Sequence, residues 1–253
     1  MKDKKTLLII IGFCIAIGVV YAVCNMLPQN QAKWVLIDIA IVIVIIWLIV
    51  KMVRMVRLSK VVAGPTNLLY EEKNPKAYTE EMEKILENVS QREQKDLIRI
   101  NISTGLLYNG DYEEALTLLD KIAINGQPVV NQVLCFANQA LASYLDGKIE
   151  QGNVIVKEQR ELFKKYEKAS GISNNLVVVY TAEKLAAGDY EQAWNQLQKL
   201  NGVKVSSVLQ DIVDYFCLQA TKGLKKEEEY SEYKKKLTER KIVPAIANKM
   251  NIK

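Results

Sequence analysis

The chain has no histidine, and with it goes the side chain that most often moves protons near neutral pH and most often binds metals. Its four cysteines, Cys14, Cys24, Cys135 and Cys217, include no pair at C-x-x-C spacing, and the last two stand 82 residues apart. That arrangement supports neither a zinc site nor a disulfide framework and suits small buried packing residues. Carboxylates are plentiful, but runs such as YEEALT and KKEEEYSEYKKKL read as solvated helix faces with opposite charges three or four residues apart. Neither G-x-x-x-x-G-K-[ST] nor G-x-G-x-x-G occurs, so no phosphate-cradling loop is expected. No enzyme activity, cofactor or metal follows from these residues. The chemistry they allow is recognition through shape and hydrogen bonds, and the question becomes which elements present the recognising side chains.

Charge divides the chain. Residues 1–60 carry eight basic and two acidic side chains, a balance of +6, whereas the remainder carries 26 and 27, a balance of −1. The basic excess therefore flanks apolar runs and does not describe a nucleic-acid surface. Residues 6–27 are free of charge, and 34–50 hold one acid, Asp38, near their start. Each run approaches the length needed to cross a hydrocarbon core of about 30 Å, so 1–60 reads as a transmembrane hairpin with a basic juxtamembrane segment. A cleaved signal peptide competes for the first run because MKDKK supplies a positive start, yet the apolar core is longer than the usual 7–15 residues. Lys2, Lys4 and Lys5 before the first run and Lys51, Arg54, Arg57 and Lys60 after the second put both termini in the cytoplasm by the positive-inside rule. The last four also suit an anionic lipid surface. Gly12 and Gly18 each have alanine four residues on, Ala16 and Ala22, which permits close approach of a neighbouring helix. AGPTN, 63–67, breaks the helix, and 61–74 reads as a linker.

Residues 75–253 contain a repeated phrase. NGDYEEAL (109–116) returns as AGDYEQAW (187–194), and DGKIEQGN (146–153) stands between them. All three place glycine first (Gly110, Gly147, Gly188), a bulky residue two later (Tyr112, Ile149, Tyr190), then glutamate, then a small residue (Ala115, Gly152, Ala193). Twelve positions before each small residue stands another: Ser103, Ala140 and Thr181. Glycine ends one helix in a left-handed conformation, the bulky side chain plugs the corner, and paired small residues let two helices approach. Gly223, with GLKKEEEYSEYKKKL, reads as a polar terminal hairpin. Asn74 before Pro75 caps a further helix ahead of the array. The pattern predicts an all-α fold with about eight to ten helices between residues 67 and 245, in which NLVVVY (175–180) is a buried helix.

On these phrases the chain resembles the tetratricopeptide repeat family, whose helix-turn-helix units of about 34 residues stack into a superhelix. The copies here lie 37 and 41 residues apart, so the units are divergent, and the resemblance does not extend to residues 1–60. It implies a TPR-like α-solenoid whose concave face comes from the first helix of each unit. Carried onto this chain, that register gives Asn101, Thr104, Tyr108, Asn138, Leu141, Tyr144 and Asn175 as partner-binding residues, a mixed apolar and amide groove with few basic residues.

Two functions follow as expectations. The first is a membrane-anchored adaptor that binds a protein or peptide at the cytoplasmic face, with lipid contacts and no nucleic acid. The second is an accessory subunit of a membrane transport or secretion complex that works through its transmembrane hairpin. The two-span plan and the Lys, Ile and Asn usage point to a bacterial cell membrane.

Overall fold

The computed structural model describes residues 29–252. The first apolar run, Lys2–Lys5, Gly12, Gly18 and the first two cysteines lie outside the described residues. Two compact units emerge, 1–59 and 60–253, and among the described residues every regular element is helical.

The helix α1 (Gln29–Ala63), of which residues 29–59 belong to the first unit, runs for 35 residues. The proposed second span and the basic segment fall on this one continuous helix. Its side chains from Ile41 to Val50 are each between 41% and 59% exposed, so this stretch is apolar all round and buries no face among the described residues. Among the described residues no helix is long and apolar enough to cross a membrane; the uninterrupted run of described apolar side chains in α1 is 40–50. Arg57 and Lys60 are exposed, whereas the side chains of Asp38, Lys51 and Arg54 lie outside the description.

In the second unit, α2 (Thr66–Tyr70) and α3 (Pro75–Glu87) precede four hairpins: α4 (Arg92–Asn109) with α5 (Tyr112–Asp120), α6 (Val129–Leu145) with α7 (Ile149–Glu158), α9 (Ser173–Ala186) with α10 (Tyr190–Gln198), and α11 (Ser207–Gly223) with α12 (Glu227–Thr238). A short α8 (Arg160–Tyr166) extends the second hairpin and α13 (Pro244–Met250) ends the chain. This is twelve helices where the pattern suggested eight to ten, because α2, α8 and α13 are too short to show a period. Successive first helices α4, α6, α9 and α11 pack side by side, the arrangement of an α-solenoid. Asn74 accepts a hydrogen bond from the Ala77 amide at 3.2 Å, with Pro75 at the first helical position, as the sequence predicts. NLVVVY is helical, within α9.

The paired small residues Ser103, Ala140, Thr181, Ala115 and Ala193 are all 0% exposed. Their helices therefore meet at distances that larger side chains would not permit. Gly105 of α4 extends the same logic: a Cβ there would stand 2.3 Å from Thr79 Oγ1 and 3.3 Å from the Pro75 carbonyl oxygen of α3. Gly105→Ala should cost about 1–3 kcal/mol, since backbone must yield as well as side chain, and urea denaturation would register the loss. The bulky corner residues behave unequally. Tyr112 is 8% exposed, whereas Ile149 is 42% and Tyr190 37% exposed. Ile149 does not plug its corner, and Tyr190 lays its ring against Gly223 of the next hairpin.

The turns correct the sequence register of the last hairpin. In the first three, an amide just after the left-handed glycine reaches back five residues: Asp111 to Leu106 O, Lys148 to Ser143 O, and Asp189 to Lys184 O, each at 2.9 Å. In the fourth, Lys226 bonds Thr221 O at 2.9 Å, and the left-handed residue is Lys225, with φ 58°, not Gly223. Lys225 lies 37 residues after Gly188, the spacing between Gly110 and Gly147, and this register brings Glu228 under Glu113, Glu150 and Glu191. Glycine adopts the left-handed region without penalty, whereas lysine does so at a steric cost. Lys225→Gly should therefore stabilise the unit by about 0.5–1 kcal/mol, visible as a higher denaturation midpoint.

The stretch read as a linker, 61–74, is built into the second unit. Leu69 is 0% exposed, α2 packs on α11, and α13 packs on both α4 and α11. First and last hairpins are thus joined through the terminal segments. Asp211 of α11, itself 0% exposed, accepts from Lys73 Nζ at 2.8 Å, from Arg240 Nη2 at 2.9 Å and from the Val243 amide at 3.0 Å. Arg240 also reaches Asp214 at 2.6 Å.

Candidate functional site

Positions spaced by 37 residues recur on equivalent faces of the first helices of successive hairpins. Asn101 and Thr104 of α4 correspond to Asn138 and Leu141 of α6. These four, with Tyr108 and Asn175, line one cavity of about 240 Å³. On α9 the strict equivalent of Asn138 is Val179, nine residues before Gly188; it too lines the cavity, because residues four apart return to one helix face.

Tyr144 is the exception among the seven groove residues. It stands three residues before Gly147, whereas Tyr108 stands two before Gly110, and one residue is about 100° of rotation. Its hydroxyl donates to Asn153 Oδ1 at 2.8 Å, and its ring covers Gly152. It lines a smaller cavity of about 160 Å³ at the C-terminal ends of α6, α9 and α11, together with Lys249 of α13.

Three lining residues had no signal in the repeat pattern. Tyr70 comes from the supposed linker, and Ser206 and Leu209 come from α11 or its cap. Knowing that Lys225 sets the last turn would have placed α11 in register; nothing local marks Tyr70. The Asp211 cluster also escaped notice, although two acids three apart in VLQDIVDYFC are a conspicuous break in an apolar helix.

The 240 Å³ cavity is polar and uncharged: no Lys, Arg, Asp or Glu lines it. Asn101 is satisfied, donating to Leu97 O at 2.9 Å and accepting from the Tyr78 hydroxyl at 3.2 Å. Asn138 Nδ2 donates to Thr104 Oγ1 at 2.9 Å, and that hydroxyl donates to Ile100 O at 3.0 Å. Tyr108 is 7% exposed, and burial, then the proximity of Tyr70 and Asp211, raises its pKa above the ordinary phenol value. It is a neutral hydroxyl under any ordinary condition. Such a lining can orient a ligand but has no group able to exchange protons near pH 7.

The larger cleft between α8, α9 and α10, about 630 Å³, mixes Arg160 and four lysines with Glu161, Glu167 and Glu183. Arg160 and Glu183 neutralise each other at 2.7 Å. Lys164, Lys184 and Lys199 sit at helix C-termini, where the helix dipole favours a cation without any ligand.

Among the described residues no group of three or more metal-ligating side chains is gathered. Cys135 and Cys217 are buried and unpaired, and burial pushes both thiols up to about 12. Above pH 7 their thiolate fraction stays far below that of an exposed cysteine, so alkylation requires opening of the fold. Iodoacetamide at pH 8 should leave both unmodified in the native chain and label both in urea, as peptide mass spectrometry would report.

No family model matches the chain, and no curated protein or solved structure is significantly similar to it.

Proposed function

We propose that this chain is a membrane-anchored adaptor whose helical repeats, divergent relatives of the tetratricopeptide type, receive a partner protein or peptide at the cytoplasmic face. The observation that carries the reading is the cavity formed by equivalent positions of successive inner helices, lined by amides, hydroxyls and apolar side chains with no formal charge. Equivalent side chains on stacked units make the concave binding surfaces of helical-repeat proteins. At about 240 Å³ the cavity is smaller than the roughly 300–1,000 Å³ of sites that enclose a drug-sized ligand. It suits a protruding side chain of a docked partner better than a whole threaded helix.

Membrane attachment is supported by α1, whose residues 40–50 are apolar and exposed on every face. A helix that is hydrophobic all round belongs in lipid or in the core of an assembly. The 17 residues of 34–50 fall at the lower end of the roughly 17–25 required of a span. The same observation favours a second reading, in which the apolar hairpin is the working part and joins a membrane transport or secretion complex.

Photoreactive side chains at Asn138 and Tyr108, compared with a set at Val42 and Ile46, separate the two. A single recurring protein adduct at the inner-face sites, lost on Leu141→Trp, supports the adaptor. Adducts confined to the α1 sites and indifferent to Leu141→Trp would favour the accessory subunit.

A further inference from the structure

Four polar groups of the inner-face cavity have unused hydrogen-bonding capacity. The hydroxyls of Tyr70 and Tyr108 and the side-chain amide of Asn175 make no hydrogen bond among the described residues, although all three line the cavity. Asn138 spends its Nδ2 on Thr104 and leaves Oδ1 without a donor. Tyr108 is more than nine-tenths buried, and the two phenols lie close enough for ionisation of one to oppose that of the other. None of these four groups is sealed from solvent, so water holds them until a docked side chain displaces it and takes over their hydrogen bonds.

The arrangement offers two hydroxyl donors and the Asn175 NH₂ to an acceptor, and two amide oxygens to a donor. We propose that this cavity takes a primary carboxamide, the tip of an asparagine or glutamine side chain projecting from the docked partner. A carboxamide carries both halves of the complement in one small neutral group: its carbonyl oxygen accepts from Tyr70 and Tyr108, and its NH₂ donates to Asn138 Oδ1 and Asn175 Oδ1.

Charged tips are disfavoured. A carboxylate would enter a lining with no Lys or Arg. An ammonium or guanidinium would find no Asp or Glu in the lining. Burying an ion without a counter-charge is far more costly than burying a satisfied neutral amide. A purely apolar tip would leave all four polar groups unsatisfied. The inference rests on the inner face being the docking surface, and names what that surface selects.

Acetamide, acetate and acetamidinium are nearly isosteric and carry charges of about 0, −1 and +1 near neutral pH, so they serve as probes. The full-length chain in detergent micelles, followed by ¹⁵N–¹H NMR at the side-chain amides of Asn138 and Asn175, should show saturable shifts with acetamide. Acetate and acetamidinium should bind at least about tenfold more weakly. Tyr108→Phe should weaken acetamide about threefold to tenfold, the loss of one neutral hydrogen bond, while the backbone signals of Ala115 and Ala193 stay in place. Acetate or acetamidinium binding as tightly as acetamide would overturn the proposal, and so would failure of all three to saturate, which would leave the cavity to water. Neither outcome bears on the cross-linking that decides the adaptor reading. Conversely, saturable acetamide binding without an inner-face protein adduct would leave the amide site standing and remove its protein partner.

Discussion

Asp211→Ala is expected to destabilise the repeat unit by about 3–5 kcal/mol, the cost of breaking a buried ion pair from one side. The carboxylate is wholly buried and accepts from Lys73, Arg240 and the Val243 amide. Removing it leaves two cations and a backbone donor facing a space that cannot rehydrate without opening the α2–α11–α13 junction. Asp214 can hold Arg240 through its 2.6 Å contact, but among the described residues it does not pair with Lys73, whose Nζ would keep the Lys241 carbonyl at 2.9 Å. Lys73→Met should cost less than Asp211→Ala, because Arg240 still neutralises Asp211. A urea titration of the two variants measures this order. A loss below about 1 kcal/mol for Asp211→Ala would mean that the cluster is solvated and weak. Hydrogen exchange adds a local reading: the amides of Ile246 and Ala247, bonded to Val243 O at 3.0 Å, should lose protection before those of α6.

The second large effect concerns the membrane reading. Ile45 lies within the exposed apolar run of α1, and a charged residue at the centre of a span costs about 2.5–3.5 kcal/mol on the insertion scale. Ile45→Lys together with Val42→Lys should shift the chain from the membrane pellet to the alkaline-extractable fraction. Arg57→Lys, which keeps the charge beside the run, should not. Unchanged partition of the double variant would mean that α1 is held by protein contacts, or by the first apolar run alone.

The inner-face site was partly legible because helical hairpins leave a local signature. A left-handed turn demands glycine, a close crossing demands small side chains, and both repeat with the unit. Asn101, Thr104, Asn138 and Leu141 could therefore be aligned by counting from Gly110 and Gly147. Tyr144 lies outside the inner-face cavity because it stands one position out of register with Tyr108, and one residue rotates a helical side chain by about 100°. The fourth hairpin was misread by two residues because Lys225 occupies a conformation that sequence reasoning assigns to glycine.

By itself the sequence determined the helical class, the division between an apolar N-terminal part and a near-neutral repeat part, the first three turns, and the absence of familiar catalytic or metal-binding spacing. These are local or compositional properties, written in period, charge and turn chemistry. Only the tertiary structure decided that residues 61–74 belong to the repeat unit, that Tyr70 joins α4, α6, α9 and α11 around one cavity, and that Asp211 draws together Lys73 and Arg240. Those contacts span 138 residues in one direction and 29 in the other. No period or propensity encodes such a meeting. It follows from how far the stacked hairpins turn before the last meets the segments flanking the first, a sum of many small packing angles that no single residue specifies.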